Sequence, residues 1–374
     1  MRNLLLIPTA IMFLFSCNEN DEQVSSEQAN YRILFEDTVR IDAKDELLFV
    51  SNSLGSANYL PSTDNVYNFN SKDLIMEVYN IESQGLVSRH PFEREGPNAV
   101  GQYITGFEML SEEAIFIFDI NFFAKYNLKG DRLLKVDMLD FHNFSGDSLL
   151  VTERLMPSGG FYGEQFITIY TIKNTFEGVA FLDFQKREIR KEMAPEFDKA
   201  SELSFSILLN GNKWPIKAAF EVNVGNKKAI LSSDAYNEIV VFDMETGERS
   251  HKIFKSALFP NQKVPKHTAP VMEGDAREMQ LLLLDQITFG SFQYDETNKL
   301  FYRISYMANG LEGEQKKYRR FLSIFDQDLN HLQDIGDLPD DFPSSILFIR
   351  NGKMHSFLNE NDEIAFTVMS VVAE

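Results

Sequence analysis

The chain has 374 residues, with 36 Lys and Arg against 56 Asp and Glu for a formal charge of −20, and 44% of its positions are hydrophobic. This composition excludes a disordered or collagenous chain and supplies ample apolar material for a core. A surface so short of cations gains no counterion-release term, and the strongest basic cluster, Lys316, Lys317, Arg319 and Arg320, is too small to reverse that, so nucleic acid is excluded as a partner.

Residues 1–16 carry one cation, Arg2, and then an apolar run from Leu4 to Phe15. That run is too short to span a bilayer and has the size of a signal-peptide core. It ends in Leu14-Phe15-Ser16-Cys17, which looks like a lipobox, where cleavage precedes a cysteine that receives acyl chains, although Phe15 replaces the usual small residue. Cys17 is the only cysteine, so no intramolecular disulfide forms. Residues 17–30 are polar and aperiodic and read as a flexible tether between membrane and domain. The acidic run after Cys17 resembles the surface-export signal of Bacteroidota-type outer-membrane lipoproteins, the alternative being a plain solvated linker. The expected address is therefore the outer membrane, facing either the surface or the periplasm.

From Tyr31 onward, short alternating apolar and polar runs recur between Asn, Asp, Gly and Lys, which predicts an all-β domain over 31–374. The 33 Phe and 13 Tyr agree with that. One unit, a pair of β-formers ending in an aromatic, then usually Asn or Asp, then a turn breaker, aligns five times. The copies are Val78-Tyr79-Asn80 with Gly85, Lys125-Tyr126-Asn127 with Gly130, Ile169-Tyr170-Thr171 with Asn174, Val241-Phe242-Asp243 with Gly247, and Ile324-Phe325-Asp326 with Asn330. Each predicts a β-hairpin. The aromatics lie 47, 44, 72 and 83 residues apart, and the first two intervals match a four-stranded propeller blade of about 40–50 residues. Five hairpins imply five blades. Three further strands, 345–349, 353–357 and 364–372, lack a fourth, which the early strand 32–41 supplies, so the expected fold is a six-bladed β-propeller closed by an N-terminal strand. A β-sandwich is the competing architecture. Two excursions, 185–210 and 260–277, exceed ordinary connections and read as binding loops or as covers for a blade edge.

The lipobox, the length, and the segment Phe92-Glu93-Arg94-Glu95-Gly96-Pro97-Asn98-Ala99-Val100-Gly101 followed by Ile104-Thr105-Gly106-Phe107 resemble a Bacteroidota lipoprotein family of unknown function, similar to TolB-like six-bladed propellers. The resemblance implies fold and location and brings no catalytic residue.

Candidate binding residues are Arg94 and Glu95 for charge, Asn98 for two-sided hydrogen bonding and Gly96 for close backbone approach, with a rigid inter-blade turn as the plainer reading. Gly96 and Gly101 have phosphate-loop spacing, but Gln102 follows where Lys is required. Trp214 is a candidate stacking residue for a sugar or peptide, or a packing residue. Asp326, Asp328, Asn330, Asp334 and Asp337 resemble a calcium loop, yet His331 stands where the sharp turn needs Gly. No cofactor is expected. His90, His142, His251, His267, His331 and His355 show no metal-ligand spacing, and there is no Gly-x-Ser-x-Gly elbow.

The expected function is a non-catalytic, monomeric propeller held at the membrane by its lipid and presenting a face to a protein, peptide or glycan. The alternative is a divalent-metal-dependent hydrolase or lactonase with its site at the propeller channel. A purely structural envelope component is a third reading.

Overall fold

A computed structural model describes residues 30–44, 46–50, 54, 57–209, 212–265, 271–272, 285–312, 315–336, 338–339 and 342–374. Residues 1–29, on which the expected signal segment, Cys17 and nearly all of the expected tether fall, lie outside the described residues.

The chain opens with strand β1 (Tyr31–Arg40), whose partner comes last in the sequence. Blade one follows as β2 (Ala57–Leu60), β3 (Asn65–Asn70), β4 (Ile75–Asn80) and β5 (Gly85–Pro91). Blade two is β6 (Ile104–Ser111), β7 (Ala114–Asp119), β8 (Phe122–Asn127) and β9 (Arg132–Asp137). A short β10 (Ser145–Gly146) adds in parallel to the edge of blade three, which is β11 (Glu153–Tyr162), β12 (Gln165–Ile172), β13 (Thr175–Asp183) and β14 (Glu188–Met193). Two strands, β15 (Phe205–Leu209) and β16 (Asn212–Ile216), precede blade four, which is β17 (Phe220–Gly225), β18 (Lys228–Ser233), β19 (Tyr236–Asp243) and β20 (Arg249–Ile253). Strand β21 (Val271–Met272) joins β15 and β16 in a separate sheet. Blade five is β22 (Thr288–Asp295), β23 (Leu300–Glu312), β24 (Gln315–Asp326) and β25 (His331–Ile335). Blade six is β26 (Phe348–Arg350), β27 (Lys353–Glu360) and β28 (Glu363–Ala373), completed on its outer edge by β1 in the order β26-β27-β28-β1.

The expected six-bladed ring is therefore present, and it is closed as expected. β1 runs antiparallel to β28 from Tyr31↔Ala373 to Arg40↔Ala365 with one bulge at Phe35/Asp37. The chain then steps straight onto blade one: Asp42 N–H donates to Gln84 O at 2.8 Å and Leu86 N–H to Asp42 O at 3.0 Å. The last blade is thereby locked to the first, and β28 has no open edge.

The apolar composition has a geometric cause. Each blade is covered on both faces by its neighbours, so its middle strands read as continuous apolar runs with successive side chains facing opposite junctions. On β7, Ile115 and Ile117 pack with blade one, and Phe116 and Phe118 with blade three. Separate hydrophobic clusters fill all six junctions, the phenylalanines Phe116, Phe118, Phe123, Phe141, Phe166 and Phe184 crowding the junction of blades two and three.

The repeated unit also acquires a physical meaning. Its Asn or Asp accepts backbone N–H bonds within the turn: Asn80 Oδ1 from Ser83 at 2.8 Å, Asn127 Oδ1 from Lys129 at 3.0 Å, Asp243 Oδ1 from Glu245 at 2.9 Å, and Asp326 Oδ1 from Asp328 at 2.9 Å. The side chain just before it is buried, as with Tyr79, Tyr126, Phe242 and Phe325. Blade three corrects the expected register. Its equivalent unit is Phe181-Leu182-Asp183, where Asp183 Oδ1 accepts from Gln185 at 3.0 Å and Lys186 at 2.9 Å. Ile169-Tyr170-Thr171 lies one strand earlier, on β12, because buried Leu182 stands where the other copies carry an aromatic.

The 185–210 excursion also starts later than expected. Glu188–Met193 is the regular outer strand β14, and the departure begins with a 3-10 helix, Pro195–Leu203, that buries Phe197, Ala200 and Leu203 in the junction of blades three and four. It covers a blade edge.

Candidate functional site

The first, innermost strand of each blade faces the ring axis, and together these six strands enclose a channel of about 780 Å³. Its mouth lies at the end of the ring formed by the turns after β2, β22 and β26, where Pro61, Glu296, Thr297 and Asn351 are exposed.

Two networks fix that mouth. Arg350, at the end of β26, grips Asp64 of blade one with Nε to Oδ1 at 2.6 Å and Nη2 to Oδ2 at 2.7 Å, and Nη2 also reaches Glu82 at 2.5 Å. Tyr59 hydroxyl donates to Asp64 Oδ1 at 2.8 Å. Burial works to raise the Asp64 carboxyl, but Arg350 and Tyr59 outweigh it and hold it below the usual carboxylate range. Beneath them Tyr59 stacks on Phe348 at 4.3 Å, and Phe348 stacks on His355 at 4.6 Å. Burial pushes the His355 imidazole down to about 4, so it is neutral at physiological pH.

The second network is centred on Asp295, which is fully buried. Its Oδ1 accepts from the backbone of Thr297 at 3.0 Å and Asn298 at 3.2 Å, and its Oδ2 accepts from Asn298 Nδ2 at 2.7 Å and Tyr302 hydroxyl at 3.2 Å. Asn298 Nδ2 also reaches Gly352 O at 3.2 Å, joining the turns of blades five and six.

Deeper in the channel, asparagines staple neighbouring inner strands. Asn58 Oδ1 accepts from Met109 N–H at 3.3 Å while its Nδ2 donates to Glu108 Oε2 at 3.1 Å, and Asn223 Oδ1 accepts from Phe292 N–H at 3.2 Å. Protein surrounds Glu108 except on the channel side, and burial raises its carboxyl to about 7, with the Asn58 bond offsetting part of that. On β11 the wall is backbone. A Cβ at Gly159 would fall 2.1 Å from Ile167 O on the neighbouring strand β12 of the same blade, and one at Gly160 would fall 2.9 Å from Val224 Cγ2 on blade four, so glycine permits both close contacts.

The residues expected from sequence sit elsewhere. Arg94, Glu95, Gly96 and Asn98 do lie together in one connector, between β5 and β6, but none lines the channel. Arg94 Nη2 donates to Lys72 O at 2.7 Å, Asn98 Oδ1 accepts from Arg132 N–H at 3.2 Å, and Gly96 adopts φ +98° in a turn closed by Val100 N–H to Glu93 O at 3.0 Å. Glu95 is exposed. Trp214 lies on β16 opposite Ile207, and its side chain is outside the described residues. In the second excursion, Asn261 Oδ1 accepts from Asn237 Nδ2 at 2.9 Å and Lys263 pairs with Asp234 at 2.6 Å, and much of 266–277 is outside the described residues. In the calcium-like run, Asp326 is occupied by its own turn, its Oδ2 accepting from Asn330 Nδ2 at 2.8 Å, and Asp337 lies outside the described residues. No group of three or more potential metal-ligating side chains gathers among the described residues. No helix among them is long and apolar enough to cross a membrane.

Comparison with known proteins adds a family and a fold. Residues 30–335 match a domain of unknown function, DUF4221. A crystal structure of a DUF4221 member from Bacteroides vulgatus superposes with TM-score 0.68 at 12% identity, covering 93% of this chain and all of that one. A protein described as exported, from Bacteroides fragilis, aligns over 92% of this chain and 95% of its own with TM-score 0.48 at 11% identity. Regucalcin from Agrobacterium tumefaciens aligns over 85% of this chain and 90% of its own with TM-score 0.40 at 11% identity. No functionally curated protein matches the sequence. The chain belongs to the DUF4221 family, a six-bladed β-propeller family of unknown function.

Proposed function

We propose that this protein is a tethered binding propeller: an outer-membrane lipoprotein, acylated at Cys17, that receives a protein, peptide or glycan partner at the mouth of its channel without transforming it. The observation that carries this reading is the state of the mouth. Asp64, Arg350 and Asp295 spend their hydrogen bonds on one another and on the turns, which makes a rigid rim, while Glu296 and Asn351 stand exposed on it with no partner among the described residues. Pre-organised polar groups around a concavity serve recognition, since little ordering is lost when a partner docks.

The lipobox and the polar segment 17–30 support the anchor. The described chain emerges at Asn30 beside Glu374, at the end of blade six that also carries the Asn351-Gly352 turn. A tether of that length reaches at most ~45 Å, so the mouth operates close to the membrane.

The test is photo-crosslinking in intact cells, with a photoreactive residue placed at 296, 351 or 95. A discrete adduct from 296 and 351 and none from 95 is the expected result. Equal labelling from all three positions, or turnover of a small substrate by the purified protein, would overturn the reading. Calcium is expected to leave the melting temperature unchanged, and a rise would favour a metal-dependent hydrolase, because a ligand of the native state stabilises it.

A further inference from the structure

The charge inventory of the channel is one-sided. Asp64, Glu108, Asp295 and Glu296 line it, and Arg350 is the single cation among its described lining residues. Arg350 is not available to a ligand, being held by both oxygens of Asp64 and by Glu82. Asp64 is neutralised by the same contact, and Asp295 is filled by four donors from its own turn and Tyr302. Two carboxylates remain: Glu296 on the rim and Glu108 inside, four residues before Glu112 at the β6–β7 turn and so roughly 13 Å along the strand from it.

Glu108 is the more telling of the two. It is enclosed by protein apart from the channel, its Oε2 takes one amide hydrogen from Asn58 at 3.1 Å, and its Oε1 has no partner among the described residues. A carboxylate in such a place is costly unless something cationic or strongly donating meets it. Neutral strand residues would have served the packing, as Val222 and Val224 do on the inner strand of blade four.

We propose that the channel takes an organic cation, an ammonium or guanidinium group of the ligand, seated on Glu108 with Glu296 guiding its entry. This rests on the channel being the recognition site proposed above and specifies what it recognises. The shared chemistry has two sources, a basic side chain of a polypeptide or a free polyamine. The channel, about 780 Å³ and lined on blade three by Gly159, Gly160 and Phe161, has the volume to take the stem that carries the charge. The other ionisable groups around the channel, Asp64, Asp295, Glu296, Arg350, Tyr59 and Tyr294, are on or near the rim, so Glu108 is the group whose protonation decides occupancy at depth.

The experiment is titration calorimetry of the purified full-length protein with three probes: a blocked lysine tripeptide, the same peptide with its lysine acetylated, and spermidine. Measurements are made at pH 8 and pH 5.5, on the native chain and on Glu108→Gln. The lysine peptide or spermidine is expected to bind at pH 8, acetylation or Glu108→Gln to weaken binding about 10- to 100-fold, as for loss of one charged hydrogen bond, and the lower pH to weaken it as the carboxyl protonates. Binding by the peptide assigns a polypeptide ligand, and binding by spermidine alone assigns a polyamine. Glu108→Gln is expected to melt no lower than the native chain at pH 8, which separates loss of binding from loss of fold. The inference is overturned if neither cation binds, if the acetylated peptide binds as tightly, or if Glu108→Gln binds as tightly. Adducts at 296 and 351 that persist in any of those cases would leave the binding role standing and remove only the cation.

Discussion

Two arginines hold two junctions of the ring in opposite ways. Arg350, between blades six and one, is partly exposed, forks onto Asp64 and is raised above its ordinary pKa by that pairing. Arg303, on β23 between blades five and four, is fully buried. Its guanidinium lies 4.8 Å from the ring of Phe292 and 4.9 Å from that of Phe289, with Phe254 and Phe325 somewhat further off. Asn237 accepts from its Nη2, while Nε and Nη1 have no hydrogen-bond partner among the described residues. Burial pushes Arg303 down to about 9, with Asp334 and Glu221 partly compensating. One junction is therefore fastened by a directed ion pair at the rim, the other by aromatic packing around a charge that the fold must tolerate.

The largest effect should come from emptying the second junction. Arg303→Ala removes the filling of the aromatic cage and the cation facing Asp334 and Glu221, and we expect a loss of about 3–5 kcal/mol in unfolding free energy. Arg303→Met keeps the volume and removes only the charge, so it should cost clearly less than Ala, the remaining loss coming from the missing cation opposite Asp334 and Glu221. Denaturant melts of the two variants measure the difference. If Met is as damaging as Ala, the charge itself is what this junction uses, and the contrast with Arg350 collapses.

Acid should loosen the first junction selectively. The folded pKa of His355, about 4, lies below the usual value near 6.5, so between those pH values the unfolded chain binds a proton that the folded chain excludes. Its stabilising contribution is complete above about pH 6.5 and is lost as pH falls towards 4, amounting to roughly 3 kcal/mol. Asp64, depressed by Arg350, adds a further loss only as pH falls through and below the ordinary carboxylate range. His90 on β5 is also pushed down by burial, so the informative quantity is the native chain minus His355→Gln, followed by urea midpoints from pH 7.5 to 4.5. A pH-independent difference would mean that the stack on Phe348 does not exclude the proton.

These junctions were unequally visible in the sequence. Closure by β1 could be inferred because three C-terminal strands required a fourth and Arg32 to Ile41 had none. The blade count was legible because Asn80, Asn127, Asp243 and Asp326 each cap a turn with their own side chain, a local requirement that leaves a local signature. Blade three escaped it because Leu182 fills the aromatic position. The channel left no such mark. Asn58, Glu108, Asn223, Glu296 and Arg350 come from five different blades, and nothing in their spacing announces that they meet. The Glu-Gly-Pro-Asn segment stood out for the opposite reason, since a sharp turn with a left-handed Gly96 demands unusual residues while engaging nothing in the channel. Arg303 did leave a signal, a lone cation within Phe301-Tyr302-Arg303-Ile304-Ser305, which reads as a strand buried on both faces.

The finest test makes one substitution at both sites. Arg350→Lys keeps the charge but replaces a planar fork by a single point donor, so one of the two parallel bonds to Asp64 is lost. Water reaches this pair and fills the vacated donor position, so the cost should be about 1 kcal/mol and should shrink as salt is added. Arg303→Lys places a strongly hydrated ammonium where no water-exposed surface exists and where the flat face that stacks on Phe289 and Phe292 is gone. Its cost should be larger and insensitive to salt, because the environment and not a partner sets it. Equal costs with equal salt dependence would show that the two arginines act alike despite their surroundings. Unequal costs would identify the rim pair as the adjustable fastening of the ring, the one positioned to respond when a ligand occupies the mouth beside it.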